Sequence, residues 1–200
     1  MNKFALLMNI YDNIPKNEMT IKYKNYLFLS SKERLPLFGR KFVNNNYHNC
    51  YIIIEGKKYN ISVYCPISFK QDFLEVRLIE KRKIFDMSDI FNASNLYSVD
   101  ISKWNTTDVI NLSNMFYRCN HLEKLPDILN WDTKLVKNIE NIFSSCSELS
   151  QIPDISNWNI VNIENLSGAF ENCRKLKKLP DISKWNTSNV IDNSADASHY

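Results

Sequence analysis

Leu112 to Asp132 reads LSNMFYRCNHLEKLPDILNWD, and this stretch decides the architecture because it recurs. Trp104, Trp131, Trp158 and Trp185 stand 27 residues apart. Phe116, Phe143 and Phe170 keep the same step, with Phe91 in the matching place of a shorter first unit. Cys119, Cys146 and Cys173 keep it as well, as do Pro126, Pro153 and Pro180. All four tryptophans of the chain lie in this register. A fixed period of this length is the signature of a repeat array whose units stack to bury one core.

Four units follow, starting near Met87, Leu112, Ile139 and Leu166. Within a unit, Leu112, Met115, Phe116, Cys119 and Leu122 fall at i, i+3, i+4, i+7 and i+10, the spacing of one helical face. Asn111, Asn138 and Asn165 precede that face, where an N-cap is wanted. Pro126 biases Leu125 toward extended backbone, so the pattern predicts a helix ending near Leu122 and a short strand over Leu125 to Ile128. The expected fold is therefore α/β: a solenoid of about four 27-residue units of short strand plus short helix. Stacked side chains of one kind should form ladders, with Trp and Phe contributing most of the buried apolar area.

Before the repeats the pattern differs. Residues 1–18 read as a leader with a short helix over Phe4 to Tyr11. Thr20 to Tyr23 alternates, as does Phe73 to Ile79. Cys50 to Ile54 and Tyr59 to Tyr64 flank Glu55-Gly56-Lys57-Lys58, which predicts a hairpin. Arg40 to Asn49 reads as a loop or short helix. Residues 19–82 are thus expected to form a β-rich module of about four strands that caps the repeat region, 83–192, and residues 193–200 a polar tail.

Composition narrows the function classes. A net charge of +3 lacks the strong basic stripe of a dedicated nucleic-acid binder. No run of 18 apolar residues is present, so no transmembrane segment is expected, and the N-terminus lacks the long apolar region of a secretory signal. Five cysteines, three of them in one repeat column, read as buried reduced thiols and point to a cytoplasmic setting, with the cell surface as the alternative. No zinc-like spacing joins Cys and His, so no metal or cofactor is expected. His48 and Cys50 lie close in sequence, but no third orienting group marks a catalytic site, and the chain reads as non-enzymatic.

The motif MFxxCxxLxxLPDISxWNTSNV runs here from Met115 to Val136, and its second half is clearest in Leu179 to Val190. It resembles the BspA-like leucine-rich repeats, known from mycoplasma surface proteins and from large protist families. The resemblance covers Met87 to Val190 and implies a curved leucine-rich solenoid that binds proteins or mediates adhesion.

The expected function is a protein–protein interaction module that binds on the exposed strand positions of the repeats. Candidate contacts are Lys103, Lys124, Asp127, Gln151, Asp154, Asn157, Lys178, Asp181 and Lys184. The bland readings stand beside these: Asp100, Asp127, Asp154 and Asp181 serve equally as turn formers, and Arg174, Lys175, Lys177 and Lys178 as a solvated edge. The rival readings are a surface adhesin and a structural or degenerate fragment without a partner. After Val190 the Met-x-x-Met-Phe pattern stops, and an uncapped last repeat would favour self-association.

Overall fold

The computed structural model describes residues 17–25, 34–102 and 104–191. The leader helix expected over Phe4 to Tyr11, the polar tail and Lys103 lie outside the described residues. Five strands and one helix appear in the order β1 (Glu18–Lys24), α1 (Arg40–Asn46), β2 (Cys50–Ile54), β3 (Lys57–Asn60), β4 (Phe73–Glu80) and β5 (Leu96–Asp100). They form one antiparallel sheet in the order β3-β2-β4-β1-β5.

Alternation builds the sheet. Met19, Ile21 and Tyr23 of β1, Ile52 and Ile54 of β2, and Leu74, Val76 and Leu78 of β4 are buried on one face. Phe38 and Phe42 pack on that face with ring centroids 5.7 Å apart. The Tyr23 hydroxyl donates to the Leu37 carbonyl at 2.7 Å. The β2–β3 hairpin pairs Ile54 with Lys57, so its turn is the two residues Glu55 and Gly56, not the four expected. Both carry positive φ, 49° and 75°, the geometry that matches the twist of the flanking strands. β5 was not foreseen. It belongs to the first repeat unit, yet it pairs with β1 through a register shift at Lys22/Tyr23.

The expected solenoid of strand-plus-helix units is overturned. The described residues hold a single seven-residue α-helix, α1, and the later repeats contain neither helices nor regular strands. The segment Leu112 to Leu122 is a run of turns. The N–H groups of Leu112, Asn114, Phe116 and Arg118 donate to Asn138, Glu140, Ile142 and Ser144 of the next unit at 2.8–2.9 Å. The alternate N–H groups of Met115, Tyr117 and Cys119 donate three residues back, to Leu112, Asn114 and Phe116. Met87 to Ala93 and Ile139 to Ser145 repeat the scheme.

Backbone conformation explains why no helix forms. A residue with positive φ stands at every fourth position: Asp89 and Ala93, Asn114 and Arg118, Asn141 and Ser145, Gly168 and Asn172. Each breaks right-handed helix geometry; in the first three units its own N–H donates to the neighbouring unit, while the N–H that follows donates three residues back. Consecutive four-residue turns place Leu112, Met115, Phe116 and Cys119 on one side just as a helix would, and all four are buried. The i, i+3, i+4, i+7 spacing is therefore shared by both structures, and the hydrogen-bond partners distinguish them.

The asparagines expected to cap helices serve these turns. Asn111, Asn138 and Asn165 accept through Oδ1 from the N–H of Ser113, Glu140 and Ser167 at 2.8–3.0 Å. They also form parallel bridges to one another, starting from Asp86. The strand expected over Leu125 to Ile128 does not form; the nearest pairing is a single bridge just before it, Lys124 to Gln151.

Sheet and turns share a continuous apolar core. Gly39 marks the junction: its N–H donates to the Asp89 carbonyl at 3.2 Å, and a Cβ there would lie 2.2 Å from that oxygen. Asn46, buried at the end of α1, donates to the Asp86 carbonyl at 2.8 Å.

Candidate functional site: a groove on the stacked repeats

Like residues stack on like. Phe91, Phe116, Phe143 and Phe170 form one ladder, with neighbouring ring centroids 5.5–5.8 Å apart. Trp131, Trp158 and Trp185 form another, at 6.0 and 6.4 Å, with planes within 7°. Trp104 is buried, while Trp185 and Phe170 are half-buried. The indole N–H of Trp158 donates to the Ile128 carbonyl at 3.2 Å, and that of Trp185 to Ile155 at 3.3 Å. The Nε1 of Trp131 is buried without an acceptor, and nothing in its surroundings accounts for that. Pro126, Pro153 and Pro180 are half-buried beside the ladders.

The cysteines are all free and buried. The thiols of Cys119, Cys146 and Cys173 donate to the carbonyls of Phe91, Phe116 and Phe143, each in the preceding unit, at 3.0–3.2 Å. Burial pushes the Cys119 and Cys146 thiols far up, and Cys173 up to about 11. Burial likewise pushes Cys50 up to about 12, and its thiol points at the Asn46 carbonyl 3.5 Å away. His48 packs edge-on against Tyr47 instead. A thiol held protonated in this way is a poor nucleophile. Among the described residues, no group of three or more His, Cys, Asp or Glu is placed to hold a metal ion.

Exposed side chains stack in register as well. Lys124, Gln151 and Lys178 form one column, Asp127, Asp154 and Asp181 a second, and Asn157 and Lys184 a third, all solvent-exposed. Of the residues expected to contact a partner, Gln151, Asp154, Lys178 and Asp181 line a single groove of about 520 Å³. Lys124 and Asp127 sit one unit earlier, and Asn157 lies outside the lining. Lys184 is close enough to hold the carboxyls of both Asp154 and Asp181 down, as a smaller influence than their hydrogen bonds to Ser156 and Ser183.

The groove lies where one pairing stops. Lys124 bridges Gln151, but among the described residues the bridge is not repeated between Gln151 and Lys178. Ser150 to Asp154 and Lys177 to Asp181 therefore run side by side and form its walls. Each wall is held at its C-terminal end by its aspartate. Asp154 accepts from the Ser156 N–H at 2.9 Å and Asp181 from the Ser183 N–H at 3.0 Å. Asp127 does the same for Leu129 and Asp100 for Ser102. The acidic column thus shapes turns while its outer oxygens stay in water.

Lys177, read as part of a basic cluster at the edge, lines the groove too, as do Ile152 and Leu179, which residue-by-residue reading left out of the contact set. The signal for Ile152 and Leu179 was present in their matching repeat positions, which read as core until the half-buried geometry showed one side open. A second, more polar depression of about 540 Å³ is lined by residues that include Asn120, His121, Ser147, Glu148 and Arg174. Burial, then the nearby Lys24, lowers the pKa of His121 there.

Among the described residues, no helix is long and apolar enough to cross a membrane. No curated protein and no solved structure gives a significant match to the chain. Residues 67–179 and 147–195 match a family described as "Mycoplasma protein of unknown function, DUF285". Those spans cover well over half of the 200 residues and take in all the stacked units, so the chain belongs to the DUF285 family.

Proposed function

We propose that this protein is a non-enzymatic binding module whose protein partner sits on the exposed columns of the stacked units. The observation that carries this reading is the register of Lys124, Gln151 and Lys178 with Asp127, Asp154 and Asp181, each aspartate holding a turn by accepting from the N–H two residues on. Turns pinned by their own aspartates present these groups one repeat apart, which lowers the ordering cost of association. The resemblance to BspA-like proteins, carried by the Leu-Pro-Asp-Ile-Ser-x-Trp-Asn motif, supports a partner met through this surface. It also supports a surface-exposed setting as the second reading.

The test is affinity capture from the source cell with the 200-residue chain as bait and identification of captured proteins by mass spectrometry. A Lys124→Glu/Lys178→Glu bait runs in parallel. A partner held by the native bait and lost by the folded variant supports the module. No partner above background from folded native bait overturns it. Protease shaving of intact cells decides between an internal and a surface-exposed setting.

A further inference from the structure

We propose that the groove between Ser150–Ser156 and Lys177–Asp181 receives an extended peptide segment carrying an acidic residue at one end, an apolar residue in the middle and a basic residue at the other. This inference rests on the binding-module reading and names the occupant of the same surface.

The groove is polarised along its length. Lys177 and Lys178 stand at one end of its wall, Asp181 at the other, and Asp154 lies beside Asp181 on the facing wall. All four side chains are exposed. Ile152, Leu179 and Pro180, each half-buried, lie between the charged ends. A single anion would satisfy only the lysine end and a single cation only the aspartate end. A ligand with both charges matches the whole groove.

Dimensions select an extended chain. Lys177 to Asp181 is four residue steps with a bend at Lys178, so at about 3.3 Å per step the charged ends lie at most roughly 13 Å apart, within the span of five extended residues. Side chains at i, i+2 and i+4 of an extended peptide point to one side. A Glu-x-Leu-x-Lys segment thus sets its acid over Lys177 and Lys178, its leucine on Ile152, Leu179 and Pro180, and its base over Asp154 and Asp181. The volume of about 520 Å³ falls within the range of sites that hold short ligands. One unit earlier, the Lys124–Gln151 bridge joins the two segments, so the open slot lies between the third and fourth units.

Four fluorescein-labelled heptapeptides test this on the full chain by fluorescence anisotropy at low salt. They are Gly-Glu-Ser-Leu-Ser-Lys-Gly and versions with Glu at both charged places, Lys at both, or Gln at both. Reversing the charge order is no control, because an extended peptide can enter in either direction. The mixed-charge peptide is expected to bind roughly fivefold tighter than the other three, as one rim ion pair contributes up to about 1 kcal/mol. In Lys177→Glu/Lys178→Glu, whose changes are exposed and whose fold is checked by its melting curve, the groove carries acid at both ends. The peptide with two lysines should then become the tightest.

Equal binding of all four peptides, or an unchanged order in the variant, overturns the proposal. So does the absence of any peptide binding. If peptides fail while a captured partner still requires Lys124 and Lys178, a folded surface occupies the columns, and the module reading stands without the peptide. If capture fails as well, both readings fall.

Discussion

The two regions of this protein bury similar side chains by different routes. In the sheet, each hydrogen-bonded pair has its own sequence separation: Glu18 pairs with Ile79, Cys50 with Glu80 and Ile54 with Lys57. In the stack, one separation serves the units after the shorter first one, as in Asn111 to Asn138 to Asn165. Strand alternation makes the sheet. Recurring Asx turns and left-handed residues make the stack. Regular strands and helices are one way of satisfying backbone groups around a core, and a run of turns satisfies them equally well when an identical neighbour lies one unit away.

The largest test of that contrast is Phe143→Ala. Phe143 is fully buried and stacks on Phe116 and Phe170, so its loss empties space shared by three units. A cost of roughly 3–5 kcal/mol is expected in denaturant melts. A loss below about 1 kcal/mol would mean the ladder contributes little.

Gly39→Ala should come next, at about 1–3 kcal/mol, because its Cβ collides with the backbone oxygen of Asp89 where sheet and stack meet. Gly56→Ala is its companion: its φ of 75° is strained for alanine, but nothing lies within 4 Å. Amide exchange read along the chain should show Gly39→Ala loosening the first unit and Gly56→Ala loosening only the β2–β3 hairpin. Equal, uniform loosening by both would mean the junction is not special.

Asn114→Ala separates turns from helices by sign. In a helix, alanine is the better residue and would stabilise. At φ 55° it should destabilise by about 1–2 kcal/mol. A gain in melting temperature would restore the helical reading.

The smallest effect concerns pH. Hydrogen bonds from Ser156 and Ser183 hold the Asp154 and Asp181 carboxyls below their ordinary range. A depressed folded pKa contributes stability above the unfolded value, about 3.9, and the contribution is lost as pH falls through the folded value. Melting temperature should therefore drop as the medium is acidified below pH ~4. Asp154→Asn/Asp181→Asn keeps the turns and removes these two titrations, so its decline with acid should be shallower. An unchanged slope would place the acid sensitivity elsewhere, for instance in the sheet.

Much of the sheet was legible because alternation has one structural meaning over a few residues. Thr20 to Tyr23, Cys50 to Ile54 and Phe73 to Ile79 all fall in strands. β5 was missed because Leu96 to Asp100 stands inside the repeat register, and its partner β1 lies more than 70 residues earlier. In the repeats, the buried Leu112, Met115, Phe116 and Cys119 were legible as one apolar side, but their helical conformation was a misreading. A signal against it existed: Asp89, Asn114, Asn141 and Gly168 form a column of residue types that tolerate positive φ. The groove was half legible. Its charged rim follows from repeat position, but its opening depends on a missing bridge between Gln151 and Lys178 that no residue identity announces.

The amino-acid order alone determined the 27-residue period, the columns of Trp, Phe, Cys and Pro, and the alternating strands of the sheet, because apolar burial repeats wherever the sequence does. Only the tertiary structure decided between helix and turn. The same apolar spacing serves both, and the choice lies with the alternate N–H groups, which here find acceptors in the next unit, as Leu112 does in Asn138. It also decided that the third and fourth units part at Gln151 and Lys178, since a gap between stacked chains is a property of their separation and not of either chain's sequence.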